Sequence, residues 1–351
     1  MVFSVLIVCG IIAAWLIKGT FSHRDNKDVF IGGTPVALER EVPDGLSLTI
    51  DGKVKQTYHL DSRSFRLLAK TRIRTGEITP EGEIMGAYIY TGVPVTYIME
   101  GVAELKTKAD AFDRPLDMVV VFTTFDGKTA RFSYGELMMN TDIFPVTLAF
   151  HREPLKPSKR PDSYLKNKYK GDIVGLHLVC PREHDTSRFL DNVTRITLVQ
   201  PEIPDDLLPK TEKGINCESS TFNCVEDGNL KPPSFEGVPF ISISNWFRIG
   251  HGMGIKGDRL SSARGYHLQV FLKYNFPGCS PEDFFLFVGC DGYRSIFSGR
   301  EIFSTDAGNS YMLIKTIDGE AVEADGFTMG AVTDFFVDRC VKNLTHIVYL
   351  K

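Results

Sequence analysis

An internal repeat constrains the fold of this 351-residue chain more than any other feature of its sequence. FTTFDGKTARFSYGEL (residues 122–137) and FVGCDGYRSIFSGREI (residues 287–302) align without a gap. Each segment predicts a strand, a tight Asp-Gly turn and a second strand that ends in Ser at a helix N-terminus. A Glu three residues after that Ser completes a capping box. The pattern therefore predicts one folding unit that occurs twice.

Three further pairs of segments repeat in the same order along the chain. They are 187–199 with 338–350, 144–155 with 310–322, and 90–100 with 263–273. Together the four pairs predict one module over 29–201 and a second over 234–351. Residues 202–233, which are rich in Pro, Asp, Lys, Asn and Ser, read as a linker. Frequent Phe and Gly favour short strands and tight turns, so the predicted class is α+β and β-rich.

The N-terminus predicts a membrane anchor. Residues 2–17 are almost all apolar and uncharged, which is short for a helix that crosses a bilayer, since about 20 residues are usual. Trp15 and Lys18 are suited to the interface, so we expect a transmembrane anchor within 1–28. A cleaved signal peptide is the alternative, although no basic n-region precedes the apolar run. The net charge of -4 gives no reason to expect nucleic acid as a partner.

Several short segments resemble the molybdopterin-binding domain of the sulfite oxidase family. They are LSLTIDGKVKQTYHLDSRSF from residue 46, TGVPV from residue 91, VTLAFHREPL from residue 146, and GLHLVCP followed by NVTRITLV from residues 175 and 192. The resemblance implies an oxidoreductase with a molybdopterin cofactor, whose metal is bound by a cysteine thiolate that follows the first helix. It also implies that the folded part of the protein lies on the extracytoplasmic, periplasmic side of a membrane. The positive residues Lys18, Arg24 and Lys27, which follow the apolar run, favour the cytoplasmic side instead.

The metal-binding cysteine of that family is not found here. Residues 67–90 and their counterparts 241–263 contain no cysteine, and neither Arg nor Thr replaces a soft thiolate donor. We therefore expect no cofactor, with molybdopterin left open by the resemblance. The predicted function is a membrane-anchored, non-catalytic binding or assembly subunit with a protein partner, acting at a surface between the modules. The alternatives are a divergent molybdopterin-dependent oxidoreductase acting on a small oxyanion or oxide, and a carrier of an anion or of the pterin cofactor.

Basic residues in the first module are the candidate cofactor-binding or anion-binding site. The candidates are Arg72, Arg74, His151, Arg152, Lys156, Lys159 and Arg160. Arg72 and Arg74 alternate along a predicted strand and share a face, and the segment from His151 to Lys170 carries seven Lys or Arg. Clustered guanidinium and ammonium groups suit phosphates, oxyanions or lipid headgroups. The alternative is a solvated basic loop.

The cysteines and histidines suggest less chemistry. Cys217 and Cys224 are close enough in sequence for a small disulfide, with unlinked thiols as the alternative. We expect Cys180 and Cys290 to be buried free thiols. His177 and Cys180 lie three apart on a predicted strand and so point to opposite faces, which argues against a zinc site.

Overall fold

The computed structural model describes residues 28–31, 34–37, 42–104, 106, 112–139, 144–160, 162–163, 170–203, 222–251, 254–257, 259–322 and 326–351. The chain divides into two compact units, 1–42 and 43–351. In the first unit β1 (Asp28–Ile31) pairs with β2 (Thr34–Ala37) as an antiparallel hairpin. The predicted anchor lies outside the described residues except for its last residue, and the described helices are all too short and polar to cross a membrane.

Two sheets form the first half of the second unit, which we define as residues 43–203. The first sheet has the order β4-β3-β11-β7-β8 and the second has the order β10-β9-β6-β5. Their strands are β3 (Ser47–Gly52), β4 (Tyr58–Asp61), β5 (Thr71–Ile78), β6 (Ile84–Pro94), β7 (Val119–Thr124), β8 (Thr129–Ser133), β9 (Thr147–Pro154), β10 (His177–Val179) and β11 (Val193–Val199). All neighbours are antiparallel except β3 and β11, which run parallel.

Two further sheets form the second half, residues 222–351. One has the order β13-β12-β23-β18-β19, and the other has β14-β17-β20-β21 with β22 also paired to β20. Their strands are β12 (Asn223–Glu226), β13 (Asn229–Lys231), β14 (Phe240–Trp246), β17 (Ser261–His267), β18 (Phe284–Gly289), β19 (Arg294–Ser298), β20 (Met312–Ile317), β21 (Glu320–Ala321), β22 (Thr328–Gly330) and β23 (Leu344–Leu350). A small hairpin joins β15 (Ile249–Gly250) to β16 (Gly254–Ile255).

The two halves have the same strand order. β4-β3-β11-β7-β8 corresponds to β13-β12-β23-β18-β19, and in both sheets only the pair at the second and third positions is parallel. β5-β6-β9-β10 likewise corresponds to β14-β17-β20-β22. The β-rich character predicted from the sequence is confirmed, because strands dominate and the helices are short.

Matching glycines show how closely the halves correspond. A Cβ atom on Gly92 would lie 2.3 Å from the carbonyl oxygen of Leu148, and one on Gly265 would lie 2.1 Å from that of Leu313. Both glycines stand where the strand register shifts against the neighbouring strand. Any side chain would push the strands apart, so the Gly in both TGVPV and RGYHL is required by close backbone approach.

The predicted linker is too long at its C-terminal end. β12 and β13 fall within residues 202–233 and form an edge hairpin of the second half. Asp227 and Gly228 make the turn with φ of 49° and 78°, the combination that a two-residue hairpin turn favours. The polar residues of this segment belong to an exposed edge, and the Asp-Gly signal outweighs its linker-like composition.

The described residues form five short α-helices. They are α1 (Ser62–Leu67), α2 (Val95–Met99), α3 (Tyr134–Met138), α4 (Leu268–Asn275) and α5 (Gly299–Phe303). The capping box predicted for α5 is confirmed, because Glu301 accepts a 2.8 Å hydrogen bond from the Ser298 backbone N–H and Ser298 caps the helix in return. In α3 only Ser133 caps the helix, and the Glu136 carboxylate accepts hydrogen bonds from Arg188 and Ser298.

The structure decides between the alternatives for Cys224 and overturns the prediction for Cys290. Cys224 is a free thiol buried on β12, so it forms no bridge with Cys217, which itself lies outside the described residues. Its side chain belongs to the apolar core of the second half. Cys290 is disulfide-bonded and is not the free thiol that its sequence context suggested.

Candidate ligand-binding site

The basic residues that the sequence suggested as a site lie on β5, on β9 and on the segment that follows β9. Arg72 and Arg74 lie on the more exposed face of β5, opposite the buried Ile73 and Thr75. Arg72 forms an ion pair with Glu153 on β9. A neutralised pair on an outer face offers little attraction to an anion, so these arginines do not form a pocket.

The other candidates divide between the interior and the surface. Arg152 is buried and donates two hydrogen bonds, of 3.1 Å and 2.8 Å, to the Gly171 carbonyl. Its guanidinium also lies 5.4 Å from the ring centre of Tyr88. His151 is half-buried, and Lys156, Lys159 and Arg160 are exposed after β9. Lys166 and Lys168 of the same basic segment lie outside the described residues.

Aromatic side chains fill the interior of the first half beside these residues. Tyr88 and Tyr90 on β6 are fully buried, and their ring centres are 6.3 Å apart. His177 stacks on Tyr90 at 5.4 Å, and Phe189 meets His177 edge-on at 6.1 Å. The Tyr90 hydroxyl donates to the buried Glu77 carboxylate. These rings pack against one another in the interior of the first half.

Smaller side chains occupy the corresponding positions of the second half. Two residues before Gly92 and Gly265 stand Tyr90 and Ala263, and four before them stand Tyr88 and Ser261. The first residues of β10 and β22 are His177 and Thr328. Phe189 and Cys340 each follow the arginine of the repeated segment. Four large side chains thus give way to Ala, Ser, Thr and Cys.

A cavity of about 620 Å³ opens in the second half, a volume suited to a small organic ligand. Trp246 at the end of β14, Tyr293 after the Asp-Gly turn, and Ile317, Val322 and Val337 supply its aromatic and apolar wall. Thr328 and Cys340 also line it. Two of the four small residues of the previous paragraph, Thr328 and Cys340, therefore lie on its wall, whereas Ser261 and Ala263 are buried in the surrounding core.

Unpartnered donors lie at the wall of this cavity. Trp246 is 5% exposed, and its Nε1 finds no hydrogen-bond acceptor among the described residues. Arg248, whose guanidinium lies 5.5 Å from the Trp246 ring centre, likewise has a buried Nε with no acceptor there. A buried donor without an acceptor costs about 1–3 kcal/mol, so each of these two groups is held at a cost to stability beside the cavity.

The charged lining favours an anion. Five cations and four carboxylates line the cavity; the residues are Arg114, Arg248, Lys256, Arg259 and Lys342 with Asp291, Asp318, Glu320 and Asp338. Asp338 pairs with Arg114 at 3.2 Å and accepts the His251 backbone N–H at 2.6 Å. Asp318 accepts the Ser262 backbone N–H at 2.7 Å. Arg248 and Lys256, by contrast, form no ion pair within the described part of the chain.

Cys340 is the cysteine of the cavity wall and is half-buried. Burial raises the pKa of its thiol to about 12, so the group is protonated at neutral pH.

No cluster of three or more His, Cys, Asp or Glu side chains arranged to bind a metal occurs among the described residues. His177 contacts Asp191 at 2.6 Å, His184 contacts Asp306 at 3.3 Å, and Cys180 donates to the Arg188 carbonyl at 3.7 Å, so the grouping around residue 180 has separate partners.

Sequence reasoning missed the cavity residues although it had singled out their segment. Residues 241–263 carry no cysteine, but they hold the Trp-Phe-Arg run from residue 246, and the Lys-Gly-Asp-Arg run begins at residue 256. The signal was the pairing of an aromatic residue with nearby cations, which predicts anion binding only once a cavity is known to lie between them.

The halves meet through a reciprocal polar network. Ser133 donates to Glu301 at 2.7 Å, and Ser298 donates to Glu136 at 2.9 Å, so each helix-capping Ser reaches the Glu of the other half. All four side chains are buried. Burial, offset in part by Arg339, raises the pKa of Glu301 to about 7.

Equivalent buried arginines complete this network. Arg188 binds Glu136 and, at 2.7 Å, Glu183, while Arg339 binds Glu301 at 2.6 Å and Asp334 at 2.6 Å. Glu183 precedes Arg188 by five positions, and Asp334 precedes Arg339 by the same number. Burial opposes the charge of Arg339, but Asp334 and Glu301 outweigh it and raise its pKa. The capping serines thus join the halves across their interface, each arginine holds the Glu of its own half in place, and the cavity lies among residues of the second half with Arg114 of the first.

Comparisons with known proteins do not assign a family. No protein-family model matches the chain, and no curated protein matches it. Among solved structures the chain is similar to the sulfane dehydrogenase SoxCD from Paracoccus pantotrophus, with 12% sequence identity and a TM-score of 0.32. The alignment covers 86% of this chain and 78% of that chain. A similarity this weak carries no argument about fold or function.

Proposed function

We propose that this protein is a membrane-anchored, non-catalytic binding subunit that holds a small ligand in the second half. The observation that carries the proposal is the cavity of about 620 Å³ with Trp246 and Arg248 at its wall. Its two buried donors without acceptors are the kind of feature that ligand sites retain, because buried polar groups are otherwise satisfied within the fold. Of the three functions that the sequence suggested, the binding subunit and the anion carrier both fit this feature.

We propose further that the halves are copies of one unit whose sites have diverged. The matching strand orders, the two close-contact glycines and the reciprocal Ser–Glu bonds support this. In the first half, Tyr88, Tyr90 and His177 fill the space, so the residues there do not fit a molybdopterin. The first half then serves as a support whose Arg114 reaches the cavity of the second.

Membrane attachment and location remain part of the proposal. The apolar segment 2–17 would anchor the chain, and the Cys290 disulfide is in keeping with an oxidising, extracytoplasmic compartment. A protein partner in a membrane-associated complex would then encounter the binding subunit by diffusion in the plane of the membrane. Carbonate extraction of membranes from cells that produce the full chain or a variant lacking residues 2–17 tests the anchor. We expect only the full chain to stay with the membrane.

A thermal-shift screen of small molecules tests the binding function. The screen compares the full-length protein with a filled variant, Thr328→His with Cys340→Phe, which takes the corresponding residues of the first half. Ligands that bind the cavity should raise the Tm of the wild-type protein and leave that of the filled variant unchanged. A screen in which no compound separates the two proteins would overturn the proposal.

A divergent molybdopterin-dependent oxidoreductase is the second candidate function. The observation in its favour is Cys340, since a cysteine at the wall of an open cavity supplies the soft donor that molybdenum requires. Elemental analysis of protein purified from its native membrane separates the candidates. Less than stoichiometric molybdenum supports the binding subunit, whereas one molybdenum per chain, lost in Cys340→Ser, would establish the oxidoreductase.

A further inference from the structure

We infer that the cavity of the second half binds a planar organic anion, a ring system that carries a single sulfonate, carboxylate or phosphate group. This inference rests on the proposed binding function and names the chemical class of its ligand. Three independent features of the wall support it, namely size, aromatic surface and unpaired positive charge.

The volume favours an organic ligand over an inorganic ion. Ligand pockets for organic molecules measure roughly 300–1,000 Å³, and about 620 Å³ lies in the middle of that range. A sulfate or phosphate alone would leave most of this space, and most of its apolar wall, in contact with water. Burying the apolar surface of Val322 and Val337 against a ligand body contributes about 25 cal/mol per Å².

The aromatic wall favours a flat ligand body. Trp246 and Tyr293 both line the cavity. Tyr293 is held in place because its hydroxyl donates to the Asp338 carbonyl and its ring meets Phe112 edge-on at 5.4 Å. Two aromatic side chains, one of them anchored at both ends, offer surfaces on which a ring can stack or make edge contacts.

The free donors favour one acidic group on that body. Arg248 is fixed against the Trp246 ring, so little side-chain entropy remains to be lost when an anion binds. Lys256 and Arg248 are held together by a 2.9 Å hydrogen bond between their backbones. Charge-assisted hydrogen bonds are about twice as strong as neutral ones, so an anionic ligand should bind more tightly than its neutral isostere.

Isothermal titration calorimetry with three matched probes tests the ligand class on the full-length protein in detergent. The probes are naphthalene-2-sulfonate, its neutral isostere naphthalene-2-sulfonamide, and methanesulfonate, which keeps the anion and lacks the ring. We expect the first to bind at 1:1 stoichiometry and at least about tenfold more tightly than either of the others. Trp246→Phe keeps a ring and removes the donor, and it should weaken binding by about tenfold, as should Arg248→Gln.

Two controls and the contrary outcomes complete the experiment. Lys128→Gln changes an exposed lysine of the corresponding turn in the first half, and it should leave the affinity unchanged. Binding that persists in the Thr328→His/Cys340→Phe variant would place the probe elsewhere and overturn the inference. Equal affinity for naphthalene-2-sulfonate and its sulfonamide would mean that the ligand need not be an anion. Equal affinity for naphthalene-2-sulfonate and methanesulfonate would mean that the ligand needs no ring. Both of these results leave the proposed binding function intact, since its own test is the screen against the filled variant.

Discussion

The two halves of this protein share a strand order but differ in how they use their interior. In the first half Tyr90 is stacked on His177 and bonded to Glu77. In the second half Ala263 at the matching position is itself buried, and the cavity opens beside Thr328 and Cys340, which match His177 and Phe189. The same backbone therefore supports a packed core or a cavity, depending on a few side chains. Fold and site are separable properties, and function has to be argued from the site.

What both halves keep is the polar network at their shared interface. Arg188 and Arg339 each bind one acid of their own loop and the Glu of their own helix. Buried charges are retained only when they are paired, because an unpaired one is strongly destabilising. The network thus marks the part of the molecule where the halves depend on one another.

Removing one arginine of the network should have the largest effect. Arg339→Met leaves Glu301 and Asp334 buried without their cation and should lower the free energy of unfolding by about 3–5 kcal/mol. Arg188→Met should cost a similar amount if the halves contribute equally. Urea denaturation measures both. Arg66→Met, which removes an exposed pair with Asp44, is the control and should cost less than about 1 kcal/mol. An effect of Arg339→Met as small as that of the control would contradict the role of the network.

The packed interior of the first half should respond to a change at Tyr90. Tyr90→Phe keeps the ring and removes the hydroxyl that donates to Glu77, which leaves a buried carboxylate less satisfied. We expect a loss of about 1–3 kcal/mol in the free energy of unfolding. Tyr97→Phe, at a position 44% exposed, should be neutral. Chemical denaturation of the two variants side by side checks this, and equal stabilities would mean that the Tyr90–Glu77 bond contributes nothing.

The capping glutamate of the second half predicts a pH dependence. The pKa of Glu301 is raised from 4.5 to about 7, with burial as the main cause, Arg339 opposing it and Glu136 adding to it. The folded state therefore binds a proton more readily than the unfolded state, and this stabilisation is lost as pH rises from about 4.5 to 7. Glu301→Gln should flatten that decline, changing the difference in Tm between pH 5 and pH 7.5 by roughly 2–4 °C. Calorimetry measures the Tm of both proteins at both pH values. The same change in Tm for the wild-type protein and for Glu301→Gln would count against the raised pKa.

The basic loop of the first half should have the smallest effect on stability. Reversing the charges of Lys156, Lys159 and Arg160 to Glu changes exposed residues and should shift the free energy of unfolding by less than about 1 kcal/mol. If the loop contacts a lipid surface or an acidic partner, the same triple variant should weaken binding to vesicles that contain anionic lipid. Unchanged binding to such vesicles and to naphthalene-2-sulfonate would mean that the loop is only solvated surface.

Local signals in the sequence predicted local structure well. The Asp-Gly turns hold Gly127 and Gly292 at φ of 85° and 75°, and the helix caps at Ser133 and Ser298 form where the sequence placed them. These features depend on neighbours within about four residues, so a single chain carries enough information to predict them. The Asp227-Gly228 turn shows the limit, because the same signal lies within a polar segment whose composition is typical of a linker.

The sequence by itself determined the order of strands and turns and the positions where the two halves match, because short-range geometry and alternation of apolar residues depend only on nearby residues. Only the tertiary structure decided where the open site lies. Trp246, Tyr293 and Cys340 are separated by tens of residues along the chain and meet around one cavity. Thr328 lines this cavity at the position where His177 is buried in the first half, and that comparison requires the strand pairing of both sheets. Cavities arise from what several distant strands leave unfilled, and no local pattern encodes that.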